Sequence, residues 1–184
     1  MKKIYLFLAD GFEEVEALTV VDLLRRANID VKTISINKEK NVIGRSGINV
    51  ISDLIYDENM NFDDGDGIGL PGGAPGFINL QNHTGVTNLL KEYFEKSKLI
   101  CAICAAPTVL GSIGILKDKK AVCFPGMENM LNSKEIGNSG TVIDDNIITS
   151  KGIGTAIEFS LAIIEKLLGD TIKNQISESI VYKI

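Results

Sequence analysis

Leu99-Ile100-Cys101-Ala102-Ile103-Cys104-Ala105-Ala106-Pro107-Thr108-Val109-Leu110 is the stretch on which the fold turns. Its first five residues form an unbroken apolar run, the mark of a strand buried on both faces. Residues 105–115 are small and apolar over a helical length, and Pro107 suits a first helical turn, where its missing N–H is not needed. Cys104 falls at the junction. Alanines at 102, 105 and 106 leave room for a sharp strand-to-helix turn, the geometry of a nucleophile elbow.

The same alternation extends outward in both directions. Strands are expected at residues 4–9, 31–36, 67–70, 121–124 and 146–150, and helices at 12–27, 86–95 and 155–168. Residues 42–43 and 48–51 read as a short hairpin punctuated by Gly44 and Gly47, and residues 176–181 as a last strand. Continuous apolar strands alternating with helices imply an α/β sandwich with a mostly parallel sheet covered on both faces. In such sheets the site lies beyond the carboxyl ends of the strands. That directs attention to residues 10–16, 71–77, 104–107, 125–127 and 152–155.

The chain of 184 residues reads as one domain spanning 1–184, with 45% hydrophobic and 23% charged residues. A net charge of −5 without a basic run argues against a nucleic-acid groove or an anionic membrane surface. No segment has the apolar length to span a bilayer. Acidic residues follow the first apolar run at once, so it reads as a strand and not a secretory leader. Three cysteines in apolar segments fit free thiols and a reducing, cytoplasmic compartment.

Cys104 at the elbow faces the start of the following helix. Unpaired N–H groups and the helix dipole there predict a depressed thiol pKa. The amide of Ala105 points where an oxyanion would form, and the Gly72-Gly73 pair after Leu70-Pro71 offers a second backbone donor, at Gly73. Cys101 and Cys123 lie within strands and read as small core residues. On the first helix Ala17, Val20, Val21, Leu24 and Ala27 form one apolar stripe. At about 100° per residue, Glu13 and Glu16 fall inside it, and Glu14, Arg25 and Arg26 fall opposite. An inward carboxylate is costly unless paired or protonated. Either Glu13 or Glu16 therefore suits a proton-carrying partner for the cysteine, and spacing does not choose between them.

Other motifs fail. Gly67-Ile68-Gly69-Leu70-Pro71-Gly72 matches G-x-G-x-x-G but lies within a strand, so a dinucleotide is not expected. Cys101 and Cys104 have redox-pair spacing yet face different environments. One histidine and scattered cysteines give no zinc ligand set, and neither metal nor cofactor is expected. His83, the single imidazole, reads as a solvated loop residue. No histidine follows it to complete a protease-like triad.

Residues 9–16 (ADGFEEVE), 22–27 (DLLRRA), 70–73 (LPGG), 102–107 (AICAAP) and 150–155 (SKGIGT) resemble the DJ-1/ThiJ/PfpI superfamily, and within it the DJ-1 and YajL branch. The resemblance implies a flavodoxin-like three-layer sandwich, like that of class I glutamine amidotransferases, and usually a homodimer. It implies that Cys104 is the reactive, easily oxidised cysteine and Glu16 the protonated glutamate bonded to it. Gly73 and Ala105 then match the oxyanion amides, with Gly72 beside them. The implied activity is cofactor-independent glyoxalase or deglycase chemistry on a small aldehyde or dicarbonyl such as methylglyoxal; the alternative is a redox sensor or chaperone using the same cysteine. Two departures stand out. Phe124 occupies the place where the branch often has a histidine, and the pocket arginine of some relatives falls on Gly47 or its neighbours, leaving Arg45 displaced.

Overall fold

The computed structural model describes residues 1–183. In chain order it runs β1 (Lys3–Leu8), α1 (Glu14–Arg26), β2 (Asp30–Ser35), β3 (Asn41–Ile43), β4 (Asn49–Ile51), β5 (Leu54–Ile55) and β6 (Gly67–Leu70). Then come α2 (Gly76–Asn82), α3 (Thr84–Glu95), β7 (Leu99–Ile103), α4 (Pro107–Ser112), β8 (Lys120–Ala121) and β9 (Glu135–Ile136). β10 (Thr141–Asp144), β11 (Ile147–Ser150), α5 (Ala156–Leu168) and α6 (Asp170–Ser179) complete it.

Seven strands form the main sheet in the order β10-β11-β7-β6-β1-β2-β5. All neighbours are parallel except β10 and β11, an antiparallel hairpin at one edge. The strands β1, β2, β6, β7 and β11 give the flavodoxin-like order, reversing between β1 and β6. The expected mostly parallel α/β sandwich is present.

Alternation along each strand builds two cores. Ile4, Leu6 and Leu8 of β1 join Leu99, Cys101 and Ile103 of β7 under α1, α5 and α6. Tyr5 and Phe7 join Ile100 and Ala102 under α2, α3 and α4. In α1 the expected stripe holds for Ala17, Val20, Leu24 and Ala27, while Leu23 is buried and Val21 only partly. Residues 41–51 form the expected hairpin.

Three elements differ from expectation. Residues 176–181 do not form a strand: Ile172, Ile176 and Ile180 recur every four residues and pack α6 against the α1/α5 core. The strand expected at 121–124 pairs only at Lys120–Ala121, because the chain then rises to donate the Phe124 N–H to Cys104 O at 2.7 Å before Pro125. The helix expected over 105–115 is confined to Pro107–Ser112. Gly111 lies against the backbone of Leu131, and Gly114 takes φ +81°, which ends the helical path.

Candidate active site

The turns after β1, β6, β7 and β11 converge at the carboxyl end of the sheet, beside the point where strand order reverses. They enclose a cleft of about 340 Å³ lined by Glu13, Glu16, Arg45, Cys104, Phe124 and the turn 151–155.

Cys104 sits on a true elbow. Its φ is +65°, a left-handed conformation that costs a non-glycine residue about 1–2 kcal/mol. Two backbone bonds hold it there: its own N–H donates to Ser150 O at 2.8 Å, and its carbonyl accepts from Phe124. The side chain is half-buried, and the amides of Ala105 and Gly73 act to lower the thiol pKa.

Glu16 lies fully buried beneath it. Its Oε2 accepts from the Gly72 N–H at 2.9 Å, so that amide is committed to the glutamate and is not a free oxyanion donor. The role expected of Gly72 narrows accordingly. A side chain at 72 would place a carbon 2.6 Å from Cys104 Cβ and 2.9 Å from Glu16 Oε2, so only glycine fits. Glu16 Oε1 has no hydrogen-bond partner, alone among buried side-chain nitrogen and oxygen atoms of the described residues. It borders the thiol side of the cleft, since a carbon added at Gly152 would lie 3.9 Å from it and 3.8 Å from Cys104 Sγ.

Burial pushes the Glu16 carboxyl up to about 7, against the neighbouring Cys104 and the Gly72 amide, which lower it. The depressed thiol pKa expected for Cys104 is not found. Burial pushes the thiol up to about 12, and the charge and hydrogen bond of Glu16 add to this against the Ala105 and Gly73 amides. The correction has two physical sources: burial strips water from the thiolate, and an ionised carboxylate stands next to the sulfur. Moving one proton from thiol to Glu16 removes both Glu16 contributions. The two groups therefore titrate as a pair that shares a proton.

Sequence spacing misplaced two residues. Glu14, expected on the outer side of α1, is buried. The turn of the β3–β4 hairpin folds over it, and Oε1 accepts from the N–H groups of Ser46 (2.8 Å) and Ile48 (3.4 Å). Arg45, expected to be displaced, reaches the cleft; its Nη1 lies 3.5 Å from Glu13 Oε2. The signal available in sequence was the Gly44 and Gly47 pair, which marks the turn that carries it.

His83 is not a solvated loop residue. It caps α3, its Nδ1 accepts from the Val86 N–H at 3.2 Å, and Tyr56 packs edge-on at 4.6 Å. It does not line the cleft. Burial raises the thiol pKa of Cys101 and lifts Cys123 to about 11, as suits core residues. Gly67 and Gly69 belong to β6, where added carbons would meet Ile4 and Leu6 at 2.7 Å; close sheet packing accounts for both.

A model of the DJ-1/PfpI family matches residues 2–166. The chain is 37% identical over 163 residues to Protein DJ-1 homolog B of Arabidopsis thaliana, covering 88% of this chain and 37% of that protein. It spans well under half the length of that relative and of Protein DJ-1 homolog A, of which it covers 41%. With Protein DJ-1alpha of Drosophila melanogaster it shares 34% identity over 183 residues, covering 98% of this chain and 84% of that one. Among solved structures, oxidised DJ-1 of Toxoplasma gondii superposes with a TM-score of 0.94 at 32% identity over the full length of both chains.

Proposed function

The chain belongs to the DJ-1/PfpI family, and on that premise we propose that it is a cofactor-independent cysteine enzyme acting on small reactive dicarbonyls. Methylglyoxal, converted to lactate, is the model substrate, and adducts of such dicarbonyls on proteins are a second, deglycase-like one. The observation that carries the proposal is Glu16 Oε1, a buried carboxyl oxygen with no partner beside a thiol whose pKa the Ala105 and Gly73 amides lower. A protonated Glu16 satisfies that oxygen by donating toward sulfur. The reactive state is then Cys104 thiolate with Glu16 carboxylic acid, and the Ala105 and Gly73 amides steady the negative charge.

In the reaction Cys104 Sγ bonds to the aldehyde carbon, and the resulting alkoxide takes the Glu16 proton to give a hemithioacetal. A proton shift between the two carbons yields the thioester of the 2-hydroxy acid. Water then breaks the C–S bond: its hydroxyl joins the acyl carbon, and its other proton returns to the Cys104/Glu16 pair. This chemistry suits a response to oxidative and carbonyl stress in a reducing, cytoplasmic setting, where Cys101, Cys104 and Cys123 stay free. Exposed apolar residues on α1 (Val15, Leu18), the hairpin (Ile48, Ile51), the turn after β11 (Ile153) and the start of α5 (Ile157) favour a homodimer.

The test is lactate production from methylglyoxal by wild type, Cys104→Ser and Glu16→Gln. Wild-type turnover lost in both variants is expected; turnover that survives Cys104→Ser overturns the mechanism. A second reading, a redox sensor or chaperone, is favoured by the solved oxidised state of the Toxoplasma relative. There the same two amides and Glu16 would hold a sulfinate on Cys104. Absent turnover, with mass spectra showing oxidation confined to Cys104, selects that reading.

A further inference from the structure

The dicarbonyl reaction, on which this inference rests, needs more proton sites than Glu16 provides. Glu16 is pinned from one side by the Gly72 N–H, and its remaining oxygen, without a partner, borders the thiol side of the cleft. The rearrangement also takes a proton from the carbon bonded to sulfur and delivers one to the neighbouring carbon.

The other groups lining the cleft are poorly placed for this. Arg45 holds its proton permanently. Lys151 directs Nζ to Asn138 O at 3.2 Å. The Thr155 hydroxyl donates to Gly152 O and lies 2.6 Å from Ser150 Oγ. Phe124 presents only a ring. Glu13 remains. Its backbone N–H donates to Gly72 O at 2.9 Å, so one residue, Gly72, anchors both glutamates. The Glu13 side chain is 7% exposed, does not cap α1, and has a single long ion pair to Arg45. A buried carboxylate so weakly held is free to exchange partners when a substrate arrives.

We propose that Glu13 is a second catalytic carboxylate, carrying the proton between the two carbons of a 2-oxoaldehyde held on Cys104, with Arg45 steadying it from the cleft mouth. Glu13 takes the proton from the sulfur-bearing carbon, and the electron pair forms a C–C double bond while the ketone oxygen becomes an enolate. Glu16, ionised after the addition step, moves the hydroxyl proton of the first carbon to that enolate oxygen. Glu13 then protonates the second carbon, the first carbon regains its carbonyl as the thioester, and both carboxylates return to the ionised state.

The test compares Glu13→Gln and Glu13→Ser, the latter placing a good capping residue at the start of α1, with wild type on methylglyoxal. Two rates are measured across pH: lactate formation and alkylation of Cys104 by iodoacetamide. In both variants kcat is expected to fall about 100-fold or more with KM little changed, while alkylation keeps its wild-type rate and pH profile. Glu13→Asp, which keeps a carboxylate, is expected to recover part of the loss. Full turnover in either variant overturns the proposal and leaves the proposed function standing. Alkylation that falls in parallel with turnover also overturns it, because Glu13 then acts only through the thiol. No lactate from wild type removes both.

Discussion

Glu14 and Glu16 stand two residues apart in the first turn of α1, both buried, yet their surroundings are opposite. Glu14 lies under the hairpin turn, where burial alone would raise its pKa, but backbone amides, including those of Ser46 and Ile48, hold it below the ordinary carboxylate range. Glu16 faces the cleft with one amide and one empty oxygen, and burial lifts it to about 7. The difference teaches what separates a structural from a chemical carboxylate. Burial is common to both; the count of donors decides whether the group keeps its charge or its proton.

The largest expected break in that contrast is catalytic. Glu16→Gln is expected to reduce lactate formation by about 100-fold or more without loss of stability, because the amide still accepts from Gly72. Glu14→Gln is expected to do the reverse in denaturant titrations, losing about 1–3 kcal/mol as two hairpin amides face a weaker acceptor. Exchange of these two phenotypes would break the comparison.

Next comes the pH dependence. Glu14 has a depressed folded pKa, so its stabilisation is present above the ordinary value of 4.5 and is lost as pH falls through the folded value. Glu16 has a raised pKa, so its contribution is full below 4.5 and is lost as pH rises through about 7. Unfolding free energy measured across pH should therefore show a smaller acid-side fall in Glu14→Gln, the rest belonging to carboxylates such as Asp53, and a smaller decline between 4.5 and 7 in Glu16→Gln. Cys104 alkylation in wild type should rise with the first ionisation of the pair, near pH 7. That step should vanish in Glu16→Gln, where the thiol titrates alone.

Gly72→Ala sharpens the contrast further, since it disturbs Glu16 and leaves Glu14 untouched. A destabilisation of about 1–3 kcal/mol is expected by thermal or chemical unfolding, with the Cys104 pH profile altered. The smallest effect belongs to His83→Ala, distant from both glutamates. Loss of the α3 cap should cost about 1 kcal/mol with the Cys104 profile unchanged.

Much of this was legible beforehand. The apolar run into Cys104, the small residues after it and the glycine pair at 72–73 specify the elbow because local sterics alone demand them. The hairpin at 41–51 was readable from its glycines. α6 was missed because three isoleucines spaced by four look like a strand when only their last residues are weighed. Glu14 was misplaced because helix periodicity reports which side faces the body of the helix layer. It does not report that a hairpin from elsewhere folds over the other side.

Local chemistry, written in spacing and residue size, determined the α/β alternation, the strained position of Cys104 and a carboxylate within its reach. Tertiary structure alone decided the proton balance. Whether a buried glutamate is charged depends on donors brought by remote segments: Ser46 and Ile48 to Glu14, and Gly72 to Glu16. The same holds for the thiol. Burial and a neighbouring carboxylate raise Cys104 where the local pattern alone predicted the opposite, because electrostatic energies sum over everything nearby in space and not along the chain.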